Sequence, residues 1–208
     1  ICWSLVGSEM CIRDRIIHPK YLDEIKFSFI RQSEPNGLGH AILQAKHIIT
    51  DDFFGIILAD DLILSEPGCL KQLLEIHEKT QSSVLGVFSA SGNQVSNYGV
   101  ISSKNIDGIE KVDGIVEKPK PADAPSNLAV FGRYILSKDI FLNIEQTKPG
   151  LNNEIQLTDA IQDLISNQDV FALEFEGRRF DCGSKEGYIS AIIDRASSID
   201  KYKSIIEK

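Results

Sequence analysis

Apolar positions along this chain switch between two spacings, and the switches mark out its elements. Short apolar or period-two runs predict strands over Gly55–Asp61, Ser83–Ala90, Ile109–Glu117, Asn127–Leu136, Val170–Phe175 and Arg179–Cys182. Lys26–Arg31, where Phe27 and Phe29 alternate with polar neighbours, predicts one more, and Asn97–Ile101 turns into another short strand. Between them the spacing becomes helical. Leu38, Ala41, Ile42, Ala45 and Ile49 share one face, as do Leu157, Ala160, Ile161, Leu164 and Ile165. Glu66-Pro67-Gly68 opens a helix running to about Lys79, Ser137 is an N-cap for Lys138–Ile144, and a long amphipathic helix starts at Lys185. Ile106–Gly108 reads as a turn, Lys148–Asn153 as a loop, and the Pro-rich Lys118–Pro125 as an exposed, mobile loop. Strands alternating with helices predict an α/β fold whose sheet is mixed, mainly parallel, and covered on both faces.

Composition narrows the class. The 208 residues, 42% hydrophobic and 25% charged, suit one domain with a full core. No apolar run reaches the length of a membrane span, so no membrane partner is expected. The net charge of −8 argues against nucleic acid. An acidic chain can still take a phosphate substrate if a cation lies between them. Cys2, Cys11, Cys69 and Cys182 form no Cys-x-x-Cys pair, which leaves no zinc or disulfide framework and points to a reducing cytoplasm. His40 and His47, one heptad apart, read as surface residues. Ile1–Arg15 holds the only Trp and Met and no coherent periodicity. It resembles a translated sequencing adaptor and is read as non-native, leaving residues 16–208 as a single domain without its true beginning.

Two stretches carry chemistry. Asp60 and Asp61 follow the apolar run Gly55–Leu58, at the strand end where open α/β sheets bind ligands. Adjacent carboxylates there are oxygen ligands for Mg²⁺, which arrives with phosphates; the alternative is a pair of turn formers or an N-cap. Gly37-Leu38-Gly39 precedes a helix whose first N–H groups are open to a ligand. It lacks the third Gly of a dinucleotide fingerprint, so alone it specifies little.

Several stretches together are more specific. Arg31-Gln-x4-Gly-Leu-Gly-His-Ala, Leu58-Ala-Asp-Asp-Leu, Asn97-Tyr-Gly-Val, Val116-Glu-Lys-Pro-Lys-Pro, Pro125-Ser-Asn-Leu-Ala-Val, Asn153-Glu-Ile-Gln-Leu-Thr-Asp-Ala and Phe180-Asp-Cys-Gly-Ser-Lys occur in this order. From about Ile16 to the C-terminal helix the chain resembles bacterial-type UTP–glucose-1-phosphate uridylyltransferases (UDP-glucose pyrophosphorylases). The resemblance implies a Rossmann-like nucleotidyltransferase fold, with flanking helices and with the family's first βα unit and its Gly-rich phosphate loop absent. It implies transfer of a uridylyl group from UTP to glucose 1-phosphate, with Mg²⁺ as cofactor and a cytoplasmic homo-oligomer when full length.

Roles follow from the matched positions. The resemblance assigns Gln32 and Gly37 to the uracil edge, where an amide offers both a donor and an acceptor. It assigns Asp60 and Asp181 to the metal, Glu117 and Gly99 to the sugar, and Lys118 to sugar and phosphate, with Lys118 and Asp60 as the catalytic pair. Glu154 and Asp159 read as structural, and Asp61 as supporting the metal site from behind. Other readings of the same residues are a metal-dependent glycosyltransferase and a non-catalytic nucleotide-sugar-binding module. Without the phosphate loop the 208 residues themselves are expected to be inactive and prone to aggregate.

Overall fold

The computed structural model describes residues 26 and 28–206, and the chain divides into Ile1–Arg31 and Gln32–Lys208. Ile1–Arg15 and Phe27 lie outside the described residues. In the first unit, Lys26 and Ser28–Arg31 form no strand, contrary to the alternation of their side chains. A strand needs a neighbour to hold its backbone groups; among the described residues this segment has none, and Phe29 is 97% exposed.

In Gln32–Lys208 six strands form one sheet: β1 (Phe53–Ile57), β3 (Ser83–Ser89), β4 (Gly99–Ile106), β5 (Ile109–Glu117), β6 (Leu128–Ser137) and β7 (Val170–Glu174). Their order is β1-β6-β3-β7-β5-β4. The sheet is mixed, as the sequence predicts, and has helices on both faces. Mainly parallel pairing is not what forms: β3–β7 is parallel, and every other pairing in this sheet is antiparallel. The reason is the route of the chain. β1, β3, β7 and β4 share one direction, but β6 inserts between β1 and β3, and β5 between β7 and β4.

β6 is the spine. It is buried along nearly its whole length, the continuous apolar pattern of a strand covered on both sides. Phe131 and Ile135 face Leu73 and Cys69 of helix α2 (Cys69–Thr80). Val130, Tyr134 and Leu136 face the opposite layer. There α3 (Ile140–Gln146) and α4 (Leu157–Ile165) bring Ile140, Ile144, Ile161 and Leu164 to the sheet, beside the short helix α1 (Leu38–Leu43).

A second ribbon pairs β2 (Asp61–Leu64) with β8 (Arg178–Asp181) and leads into α5 (Lys185–Ser197) and α6 (Asp200–Ile206). β2 is too short and too polar at its start to announce itself in the sequence. Two devices aim these elements at one place. The β3–β6 register slips between Leu85 and Val87, so Phe131-Gly132-Arg133 bulges opposite Gly86. Arg133 then turns its guanidinium onto the carbonyls of Leu58 (3.1 Å) and Asp61 (2.6 Å), locking the turn that joins β1 to β2.

Candidate functional site

Beyond the carboxyl end of β1 lies a cavity of about 350 Å³. Asp60, Asp61 and Asp181 line it, as do Gly99, Glu117, Lys118 and Thr158, and Tyr98 reaches Asp181 from beside Gly99. Five carboxylates line it (Asp60, Asp61, Glu117, Glu154, Asp181) against two cations, Lys118 and Arg179. A phosphate entering this space meets a net negative field.

Asp60 and Asp61 have opposite surroundings. Asp61 is 7% exposed. One oxygen accepts from Gly132 N (2.8 Å) and the other from Arg179 Nε (2.5 Å). Arg179 is itself enclosed, its guanidinium 4.6 Å from the Phe88 ring centre, 4.9 Å from Tyr98 and 5.8 Å from Phe131. Burial alone would lower the Arg179 pKa, but Tyr98 and Asp61 more than offset it, so the net shift is upward and the group stays charged. Asp61 is therefore committed to a buried ion pair.

Asp60 sits in the exposed turn, and among the described residues its carboxylate has no hydrogen-bond or ion-pair partner. Its carbonyl accepts from Cys182 N (2.7 Å), which draws the turn against the end of β8. Asp181 ends β8, directly across the ladder from Asp61. It is not the N-cap of the following helix; Ser184 is, accepting from Gly187 N. Asp181 Oδ1 and Asp60 Oδ2 lie 3.1 and 3.2 Å from the point a Cβ on Gly183 would occupy. A side chain at 183 would crowd both groups; glycine lets the two carboxylates lie close together.

The opposite wall comes from β4 and β5. Gly99 pairs with Glu117 in the ladder, and a Cβ on Gly99 would stand 2.6 Å from Thr158 Cγ2, so α4 packs this close only against glycine. Glu117 is 16% exposed at its side chain; Thr158 Oγ1 donates to its Oε2 (2.9 Å) and Lys118 Nζ lies 3.5 Å from its Oε1. Lys118 itself adopts a left-handed backbone (φ 44°) that turns the chain away from the strand. The following loop is less free than its prolines suggest: Pro119 is buried, Ser96 Oγ donates to its carbonyl, and Lys118 N donates to Tyr98 O. Burial, with the charges of Asp61 and Glu117 adding to it, pushes the Tyr134 hydroxyl at the cavity floor well above its ordinary value, so it stays neutral.

Gln32 and Gly37 belong to a separate loop beside α1; neither lines the cavity, although the next residue, Leu38, does. Gln32 Nε2 donates to Gly37 O (3.2 Å) and lies 2.9 Å from His40 Nδ1. His40, read from spacing as a surface residue, thus packs its ring between the amides of Gln32 and Gln44. Gly37 has φ +94° and abuts Glu154 and Ile155, whose backbone clasps the loop through Ile155 N→Asn36 O and Gly39 N→Ile155 O.

The arrangement brings Asp60, Asp181, Gly99, Glu117 and Lys118 to one cavity and leaves Gln32 and Gly37 outside its lining. Sequence reasoning passed over Arg179, Tyr98 and Thr158, and it took Glu154, a lining residue, as purely structural. Tyr98 and Thr158 lay inside quoted motifs with no role attached. The available signal for Arg179 was its spacing of two residues from Asp181 on a short strand, which places both on one side.

A family model described as nucleotidyl transferase matches residues 10–198. A UTP--glucose-1-phosphate uridylyltransferase of Pseudomonas aeruginosa is 47% identical over 175 residues, covering 83% of this chain and 63% of that protein. UTP--glucose-1-phosphate uridylyltransferase 2 of Streptococcus pyogenes serotype M3 is 45% identical over 186 residues, 85% of this chain and 62% of that protein. The chain thus spans less than two thirds of the length of these curated relatives. Among solved structures, a UDP-glucose pyrophosphorylase complexed with UDP-glucose superposes with a TM-score of 0.85 at 41% identity, covering 93% of this chain and 74% of that one. A UTP-bound UGPase from Acinetobacter baumannii gives a TM-score of 0.74 at 35% identity, covering 86% and 62%.

Proposed function

The chain belongs to the nucleotidyl transferase family, and from that premise we propose that the protein transfers a uridylyl group from UTP to glucose 1-phosphate, giving UDP-glucose and pyrophosphate. The observation that carries this reading is the single cavity lined by Asp60, Gly99, Glu117, Lys118 and Asp181. In this reaction a phosphate oxygen of glucose 1-phosphate attacks the α-phosphorus of UTP and pyrophosphate leaves. The nucleophile is already an anion, so no general base is required. The residues contribute position and charge.

Glu117, oriented by Thr158, accepts from vicinal hexose hydroxyls, and the Lys118 ammonium meets the sugar phosphate. Gly99 opens its backbone to the ring. Gln32, beside Gly37, presents a donor and an acceptor to uracil. Asp60 and Asp181, whose carboxylates lie close together beside Gly183, would hold Mg²⁺, and the ion, when bound, would offset the negative lining toward phosphate. Two carboxylates suit that ion, which keeps several water or phosphate ligands; among the described residues no group of three or more His, Cys, Asp or Glu forms a closed protein cage.

No described helix is long and apolar enough to cross a membrane. A cytoplasmic location is proposed on the free thiols of Cys69 and Cys182. A homo-oligomer is proposed on the half-exposed Ile189, Ile192 and Ile193 of α5, with sedimentation as its check. The reaction is tested by pyrophosphate release from UTP and glucose 1-phosphate in the chain extended by a family-type N-terminal phosphate loop. There Lys118→Ala is expected to lower kcat by roughly 100-fold, the cost of one removed donor to developing charge. No release by the extended protein, or equal release by its variant, would overturn the assignment.

A further inference from the structure

We propose that Tyr98 is a positioning residue for Asp181: its hydroxyl holds that carboxylate in the orientation that converges with Asp60 on a divalent cation. The proposal rests on the metal reading above and assigns a role to a group outside the ligand pair.

The direction of the hydrogen bonds follows from chemistry. Tyr98 Oη lies 2.9 Å from Asp181 Oδ2 and 3.3 Å from Arg179 Nη1. A guanidinium can only donate, so the phenol oxygen accepts from Arg179 and its one proton goes to Asp181. Arg179 cannot do this work itself. Its Nη2 stands 3.9 Å from Asp181 Oδ2, beyond hydrogen-bond range, and its Nε is committed to Asp61. Among the described residues Tyr98 is the one side chain that donates to Asp181; the other oxygen receives the Gly183 N–H (3.1 Å).

The phenol is held rigidly. Its ring meets Phe88 edge-on at 5.1 Å and lies under the Arg179 guanidinium. Its carbonyl accepts from Lys118 N, so the same residue anchors the turn that presents Lys118. An Asp at a strand end, 40% exposed at its side chain, would otherwise rotate among several orientations. Partners that orient a metal ligand from behind commonly set affinity by 10–100-fold.

The test titrates Mn²⁺ into the 208-residue chain and reads free Mn²⁺ from its electron paramagnetic resonance signal. Tyr98→Phe keeps the ring and removes only the hydroxyl, and it is expected to raise the Mn²⁺ dissociation constant about tenfold. Tyr134→Phe removes a second phenol hydroxyl from the same cavity that does not touch Asp181, and it is expected to leave Mn²⁺ binding unchanged. Unchanged binding in Tyr98→Phe, or an equal loss in Tyr134→Phe, overturns the positioning role. Asp60→Asn and Asp181→Asn separate the premise from the proposal: each should abolish binding. Retained binding in both, or none in the unmodified chain, would show that the metal reading itself is wrong and remove the proposal with it.

Discussion

The carboxylate side of the cavity and the Gln32–Gly39 loop are built on different principles. At the carboxylate side the fixed charges depend on side chains and backbone far away in the chain: Asp61 is held by Gly132 and Arg179, and Asp181 by Tyr98, with the neighbouring Gly183 N–H added. In the loop, the Gln32 amide is held by Gly37 and His40, its own near neighbours. The first is a scaffold whose groups are partnered before any ligand arrives, with Asp60 left over. The second is a set of neutral hydrogen bonds that a ligand base can exchange for its own at little net cost. Within two consecutive residues the first principle already divides labour, since Asp61 holds the fold while Asp60 stays available.

Breaking the scaffold should produce the largest effect. Arg179→Gln leaves the Asp61 carboxylate buried without its cation and is expected to destabilise the domain by about 3–5 kcal/mol, read from urea unfolding. A loss below 1 kcal/mol would mean that Asp61 is solvated and the two Asp residues are alike. Asp60→Asn sharpens the same contrast from the other side. The group is exposed and unpartnered among the described residues, so unfolding free energy should stay within about 0.5 kcal/mol while Mn²⁺ binding is lost.

The loop gives a smaller, ligand-specific effect. Gln32→Ala removes neutral hydrogen bonds and should weaken UTP by about 1 kcal/mol, roughly five- to tenfold, with glucose 1-phosphate unaffected. Equal weakening of both ligands would contradict a separate base loop. The smallest change at neutral pH is expected far from both regions. Burial at the start of α2, against the sheet, pushes the Cys69 thiol up to about 11 from its ordinary 9.0. Since the folded value is raised, its contribution is fully present below pH 9 and is lost as pH climbs from 9 toward 11. Cys69→Ser should flatten that alkaline limb of the stability curve.

What the sequence discloses divides along the same line. Helix and strand periodicity located almost every element, with Ile109–Glu117 matching end for end and the Lys185 helix starting where expected, because each depends on its own residues. Asp60, Glu117 and Lys118 were legible because each ends or follows a readable strand. The insertion of β6 between β1 and β3 was not legible, since pairing partners lie about 80 residues apart. Nor was the fate of Asp61, decided by an arginine 118 positions downstream. The strand expected at Lys26–Arg31 failed for the converse reason: alternation is local, but a strand exists only with a neighbour.

The central claim is that the carboxylate side and the Glu117 wall form one nucleotide-sugar site. Calorimetric titration of UDP-glucose into the 208-residue chain, beside Glu117→Gln, tests it most directly. The account predicts one-site binding that Glu117→Gln weakens by at least about tenfold, as expected when a charged hydrogen-bond acceptor is lost. Equal affinity for UDP-glucose in the two proteins would contradict it.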